Sequence, residues 1–436
     1  MNRAGPKPSL AALANTSGPT SLSHNVSLPT PLFILLLIIV QLTPSIPTYL
    51  RLTTSLAPGT TAVAALCSVL YFAHWVYVAV RNRTTLWESS ANAFLFISIP
   101  LSLIIIQGCI AGQLGPINFS RFTASLIPLT ILLMGGLSLG LTIRKATARQ
   151  IQLAMRTSFL AFIILVALKL AQLQPNSLYP KSTFPFTETS HFALAFGPIF
   201  LYFCASARPT RRTAWVLFGI AFAVLLKSGT LLAFALGSAI INRRIALSGF
   251  LIACVFAIGL ASQLKYFTSR AEISAHSKNA TALVYLQGWE LLAHALEETH
   301  GLGIGFQQMG LRATNVPAAA AIRTINNGKN LNLKDGGFLM AKFGSEFGAF
   351  GLLIVIAYCL KAFQCLQLLR KKRSPPNVML AASIIFSFGV YIFIRGGGYF
   401  TQFVLIFIAA IVTLAPRDGW IRVVDVGERS ARLVLH

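Results

Sequence analysis

The sequence predicts an all-α protein that crosses a membrane about twelve times. Three observations lead there. Of the 436 residues 55% are hydrophobic and the mean hydropathy is +0.70; Asp and Glu number only 11 against 36 Lys and Arg; and long apolar runs recur along most of the chain. Such a composition describes a chain whose main solvent is lipid. In hydrocarbon each backbone amide must be satisfied within its own segment, so the spans are expected to be helices.

Residues 1–30 are polar and rich in Ser, Thr and Pro, and the apolar run behind them lacks a small-residue cleavage pattern. They are expected to form a floppy tail rather than a signal peptide. Runs of span length follow at about 31–50, 60–80, 91–111, 122–143, 151–172, 190–206, 213–226, 229–242 and 245–263, giving a membrane region over 31–263. A second membrane region over 338–415 carries runs at about 338–360, 377–394 and 401–415, and a short tail occupies 416–436. Several runs lie near the lower length limit for crossing a bilayer.

Between the two membrane regions lies the one long connection, 264–337. It contains ALVYLQGWELLAHALEETH (282–300), whose apolar residues at 283, 286, 289, 292, 293 and 296 follow helical spacing and predict a helical subdomain. The GLGIGFQQMG stretch behind it offers Gly301, Gly303, Gly305 and Gly310 for tight turns. A dinucleotide-binding fingerprint needs another glycine spacing and a preceding strand.

The net charge of +25 is concentrated at Arg81/Arg83, Arg144 to Arg156, Arg208/Arg211/Arg212, Arg243/Arg244 and Arg370 to Arg373. With twelve spans these clusters share one side with both termini, and the positive-inside rule makes that side the cytoplasm. Topology and attraction to anionic lipid then account for the basicity, and no nucleic-acid partner is expected. The 264–337 loop would face outward. The six cysteines all lie in or beside apolar runs, a placement that suggests neither a disulfide nor a zinc site.

With the basic side set aside, few charges remain that could do chemistry. Lys227 (LLKSGTLLAF) sits in a turn between spans and Arg395 (FIRGGGYFTQ) between the last two, each beside glycine, which suits a backbone wrapped around an anion as well as headgroup snorkelling. Lys342 and Glu346 lie inside the tenth run, spaced to satisfy each other on a helix or to face a wet cavity. In FPFTETSHFALAFGP (184–198), Glu188 and His191 stand three apart and share a helical face. Glu188 either complements the positive end of that helix or serves as a general base whose basicity burial raises, helped by His191. Asp335 is a second base candidate, with helix capping as its competing role. Carboxylates do not cluster as a divalent-metal site would require, Glu297–Glu298 excepted. No metal or cofactor is therefore expected, and phosphate charge would have to be met by Arg and Lys.

Several segments carry a family resemblance. TETSHFAL (187–194) resembles the E-P-S-x-F-A signature of Wzy-type polysaccharide polymerases, with Thr189 in the place of proline. The stretch from Arg270 through ALVYLQGWELL to HGLGIGFQQMG is similar to their large periplasmic loop, and LKDGGFLMAKFGSEFGAFGLL (333–353) to the region after it, with its E-x-G-x-x-G ending. LLKSGTLLAF resembles their S-[RK]-[ST]-G region and IRGGGYFTQ the final loop of exopolysaccharide polymerases.

The resemblance implies the O-antigen polymerase and ligase superfamily, GT-C-like glycosyltransferases of the bacterial inner membrane that act at its periplasmic face. Donor and acceptor would be undecaprenyl-diphosphate-linked glycans, and a chain-length regulator is a further candidate partner. The ligase branch commonly carries His near the position of Asp335, which favours a polymerase here. Arg270 and Lys227 match the family's functional basic positions. With Arg312 and Arg395 they form the expected diphosphate-binding set, while Glu188, His191 and Asp335 form the expected catalytic set. Tyr285, Trp289, Phe306 and Tyr399 are expected sugar-stacking or core aromatics. The rival readings are an O-antigen ligase and a lipid-linked-oligosaccharide flippase or other transporter.

Overall fold

The computed structural model describes residues 27–82, 87–173, 182–242, 279–312, 314–371 and 374–415. Among them regular structure is entirely helical, apart from two isolated bridges. In chain order the helices are α1 (Thr30–Leu42), the short α2 (Ile46–Tyr49), α3 (Ala57–Asn82), α4 (Trp87–Leu114), α5 (Phe119–Lys145), α6 (Ala148–Leu170), α7 (Thr189–Ser206), α8 (Pro209–Leu225) and α9 (Gly229–Ile241). They continue with α10 (Ala280–Glu298), α11 (Pro317–Ile325), α12 (Leu339–Arg370), α13 (Pro376–Phe393) and α14 (Gln402–Leu414).

Among the described residues eight stretches are long and apolar enough to cross a membrane: Thr30–Tyr49, Ala57–Tyr77, Ala93–Leu114, Phe119–Lys145, Ala148–Leu170, Thr189–Ser206, Leu339–Arg370 and Pro376–Phe393. α9 and α14 are apolar but shorter. The expected 245–263 run lies outside the described residues, as do residues 1–26 of the first tail, the 416–436 tail and Arg270. Many apolar side chains point away from the protein, among them Phe72, Ile106, Leu160, Leu353, Leu360 and Phe363. The most apolar window, in Ala93–Leu114, is only 11% buried. Outward-facing hydrocarbon on this scale is stable only against lipid, and the protein is membrane-embedded.

The core forms where helices come close. α5 runs between α3 and α14, and Gly136 and Gly140 let it approach α14 so nearly that an added Cβ would strike Ile408 and the Ala409 carbonyl. Small residues at such seams replace the hydrophobic drive that lipid removes. A second core is aromatic: Phe162 and Phe186 meet Phe192 and Phe196 of α7, which in turn reach Phe222 of α8.

The expected helix of the long connection is α10, but its buried face differs from the apolar tally. Leu283, Val284, Gln287, Gly288, Leu291, Leu292 and Ala295 are buried, whereas Trp289 is 38% exposed. Gly288 explains the rotation, because a Cβ there would collide with the Gly336 carbonyl and Phe338 ahead of α12. Contact distance outweighed hydrophobicity. α12 itself breaks at Gly348 (φ 60, ψ −141), where the Gly301–Gly303 turn presses against the backbone and Ala349 N–H donates to the Gly301 carbonyl. Gly301, Gly303, Gly305 and Gly310 all take positive φ, as tight turns require.

Candidate functional site

α7 begins at Thr189 because the strap before it is tied down. Thr183 and Phe186 exchange backbone hydrogen bonds, and Lys169 Nζ donates to the hydroxyls of Thr183 and Thr189 at 2.9 and 3.2 Å. Glu188 occupies the N-cap, yet its side chain caps nothing. The carboxylate instead accepts from Arg395 Nη2 at 2.7 Å and from the Ser190 hydroxyl at 2.8 Å. His191 lies one turn in, with Nδ1 3.4 Å from the Thr187 hydroxyl.

Arg395 reaches this carboxylate from the loop joining α13 to α14. The guanidinium is 15% exposed and its Nε is buried with no hydrogen-bond partner among the described residues. A buried donor left without an acceptor is uncommon and marks a place where an acceptor fits. The electrostatics of Glu188 correct one expectation. Burial pushes its pKa up, but Arg395 and then His191, together with the hydrogen bonds, outweigh that and hold it at about 2. The resting carboxylate is thus a weaker base than an ordinary glutamate.

The same loop carries the second carboxylate. Gly396 N–H donates to the Gly337 carbonyl at 2.9 Å, and Gly398 lies directly against Asp335, where a Cβ would come within 2.6 Å of Oδ1. Asp335 is not the cap of α12, which starts at Leu339 after Phe338. It accepts instead from Lys342 Nζ at 3.0 Å. The Tyr391 hydroxyl donates to the Gly398 carbonyl at 2.7 Å and lies within electrostatic reach of both Asp335 and Arg395. Glu188, His191, Asp335 and Arg395 therefore gather around one loop.

Below them sits a buried network that spacing alone did not resolve. Lys342 Nζ donates to the Lys334 carbonyl at 2.6 Å, lies 3.8 Å from Glu346 Oε1 and sits 5.2 Å over the Tyr399 ring. Glu346 accepts from the backbone N–H groups of Gln307 and Met309 at 2.9 and 3.2 Å, and its own carbonyl accepts from Gln107 and Gly305. The glutamate thus shapes the glycine-rich turn. Burial first, then Glu346, push the Tyr399 hydroxyl well above its ordinary pKa, so it stays a neutral phenol.

The remaining expected cations fare differently. Arg312 is held by Glu298, with Nε 3.0 Å from Oε1, and its guanidinium covers Gly115 beyond the end of α4. Those close partners are not the Glu188 group. Lys227 is exposed in the α8–α9 turn at φ 48, and Ser228 behind it caps α9 by accepting from Leu231 N–H. The turn thus has an ordinary reason to exist; Gly229 has open space around it and no positive φ. Connectivity puts Lys227 at the Glu188 end, since the far ends of α7 and α9 meet at Cys204 and Ser238.

The expected sugar-stacking aromatics divide. Tyr285 and Trp289 pack on Phe338 at 4.6 and 5.3 Å, with Trp289 partly open, while Phe306 stacks on Tyr399 in the interior. Among the described residues no three His, Cys, Asp or Glu come together as metal ligands would. No family model, curated protein or solved structure matches this chain.

Proposed function

We propose that the chain is a bacterial inner-membrane polysaccharide polymerase, GT-C-like, with about twelve spans, both termini in the cytoplasm and the 264–337 segment in the periplasm. It would join undecaprenyl-diphosphate-linked oligosaccharide repeat units by inverting, metal-independent glycosyl transfer. The observation carrying this reading is a convergence: segments 187–191, 335–337 and 395–398, each part of a family-like motif, meet around an arginine whose Nε has no acceptor among the described residues.

In this mechanism an acceptor hydroxyl attacks the anomeric carbon of the growing chain as the bond to the lipid diphosphate breaks. The departing diphosphate takes the charge, and Arg395 meets it, with Lys227, Arg270 and Arg312 as the further cations of the set. At rest Arg395 is occupied by Glu188. A diphosphate that takes over the guanidinium removes the largest influence holding the Glu188 pKa down, and burial then pushes it up. Donor binding would thereby generate the base that removes the acceptor proton. Asp335, tied to Lys342, is the second base candidate.

The test is reconstitution of the purified chain in detergent with a lipid-linked repeat unit and no ion gradient. Polymer should form, and should still form with a chelator present. Transfer only to a lipid A core acceptor would replace polymerase by ligase, and gradient-driven lipid movement without transfer would replace both by transporter.

A further inference from the structure

We infer that the opposite end of the bundle carries a separate binding site for a phosphate-bearing group. A cleft of about 510 Å³ opens there between the ends of α6, α7, α8 and α13. That volume falls within the roughly 300–1,000 Å³ of small-molecule sites. Arg156, Arg208 and Arg211 line it, together with the rings of Tyr202 and Trp215, and no Asp or Glu does. Among the described residues none of the three arginines has an ion-pair partner.

The positive-inside tendency explains arginines at this end but not their convergence on one cavity. Arg212, next in sequence, shows the contrast. It is buried and donates to the carbonyls of Ala205, Ala207 and Leu369, so it serves the helix ends. Arg208 and Arg211 stay exposed beside the N-terminus of α8, which has no side-chain cap. The start of α13 borders the cleft through Pro376. Three guanidinium groups with no carboxylate among them favour a phosphoryl anion, and the aromatic wall suits one that carries an apolar tail. The phosphate can come from a lipid headgroup or from solution.

The experiment uses the full chain in detergent with three probes: phosphatidylglycerol, phosphatidylcholine and inorganic phosphate. Native mass spectrometry should find phosphatidylglycerol retained, at least tenfold more weakly in Arg156→Gln/Arg211→Gln, and unchanged in Arg149→Gln, an exposed arginine of the same end outside the cleft. Inorganic phosphate bound with the same variant dependence, and no preference for the lipid, would assign the site to a soluble phosphate. Equal weakening in the Arg149 control, or no binding of any probe, overturns the site. Should the double variant misfold, photoactivatable phosphatidylglycerol on the wild-type chain decides: crosslinks in α6, α8 and the start of α13 support the site, and crosslinks elsewhere refute it.

Discussion

Two charged groups occupy the same end of the bundle and are built in opposite ways. Glu188 and Arg395 form a pair open to water on one side only, the carboxylate 50% and the arginine side chain 15% exposed, whereas Lys342 and Glu346 are 1% and 0% exposed. A pair with a water-exposed carboxylate contributes about 1 kcal/mol, and that carboxylate can give way to another anion at little cost. A desolvated pair is costly to break, because removing one member strands a charge in a medium that cannot solvate it. The buried network is therefore scaffold, holding Asp335 on one side and the 307–309 turn on the other. The rim pair, whose Arg395 Nε has no acceptor among the described residues, is the part that would meet a ligand on the proposed reading.

The largest effect expected from this contrast is on stability. Glu346→Ala leaves Lys342 with only the half-exposed Asp335 as counter-charge and two backbone N–H groups without acceptors. It should cost about 3–5 kcal/mol, read as a collapse of the melting temperature in detergent, with Glu346→Gln intermediate. A wild-type melting curve for Glu346→Ala would dissolve the distinction between the two groups. Gly348→Ala comes next: at φ 60 its methyl would overlap the Gly301 carbonyl, and about 1–3 kcal/mol should be lost.

Arg395→Gln reverses the pattern. Stability should change by less than about 1 kcal/mol while polymer formation falls to background, and Arg395→Lys should recover only part because the planar fork is gone. Glu188→Gln should lower turnover while lipid binding persists; equal loss of both would make the residue structural. The smallest effect is the pH dependence of the pair. Glu188 has a pKa depressed from 4.5 to about 2, so its contribution is complete above about pH 4.5 and fades as the pH falls toward 2. The small difference in melting temperature between wild type and Glu188→Gln should shrink over that window and not above it.

Much of the architecture was legible because lipid enforces it. Eleven of the twelve expected runs coincide with helices, and α10 and α7 start within two residues of where spacing and the TETS stretch put them. The site was legible in part. Glu188, His191, Asp335 and Arg395 were singled out as rare charges near membrane ends, and they gather at one loop. That Glu188 and Arg395 would neutralise each other was not, since 207 residues separate them. Nor was the second duty of Glu346, although the E-x-G-x-x-G stretch held the signal: a carboxylate that accepts turn amides, followed by a glycine that lets the turn press on the helix.

Composition and spacing alone determined that this chain is helical and lives in a membrane, because apolar runs of about 20 residues suit a helix, which satisfies its amides within one segment, and not the shorter alternating strands of a closed barrel. Which charges meet was decided only by tertiary structure. Pair energies depend on burial and on distances of a few ångströms, and those are set by how the helix ends and their loops come together rather than by any local pattern.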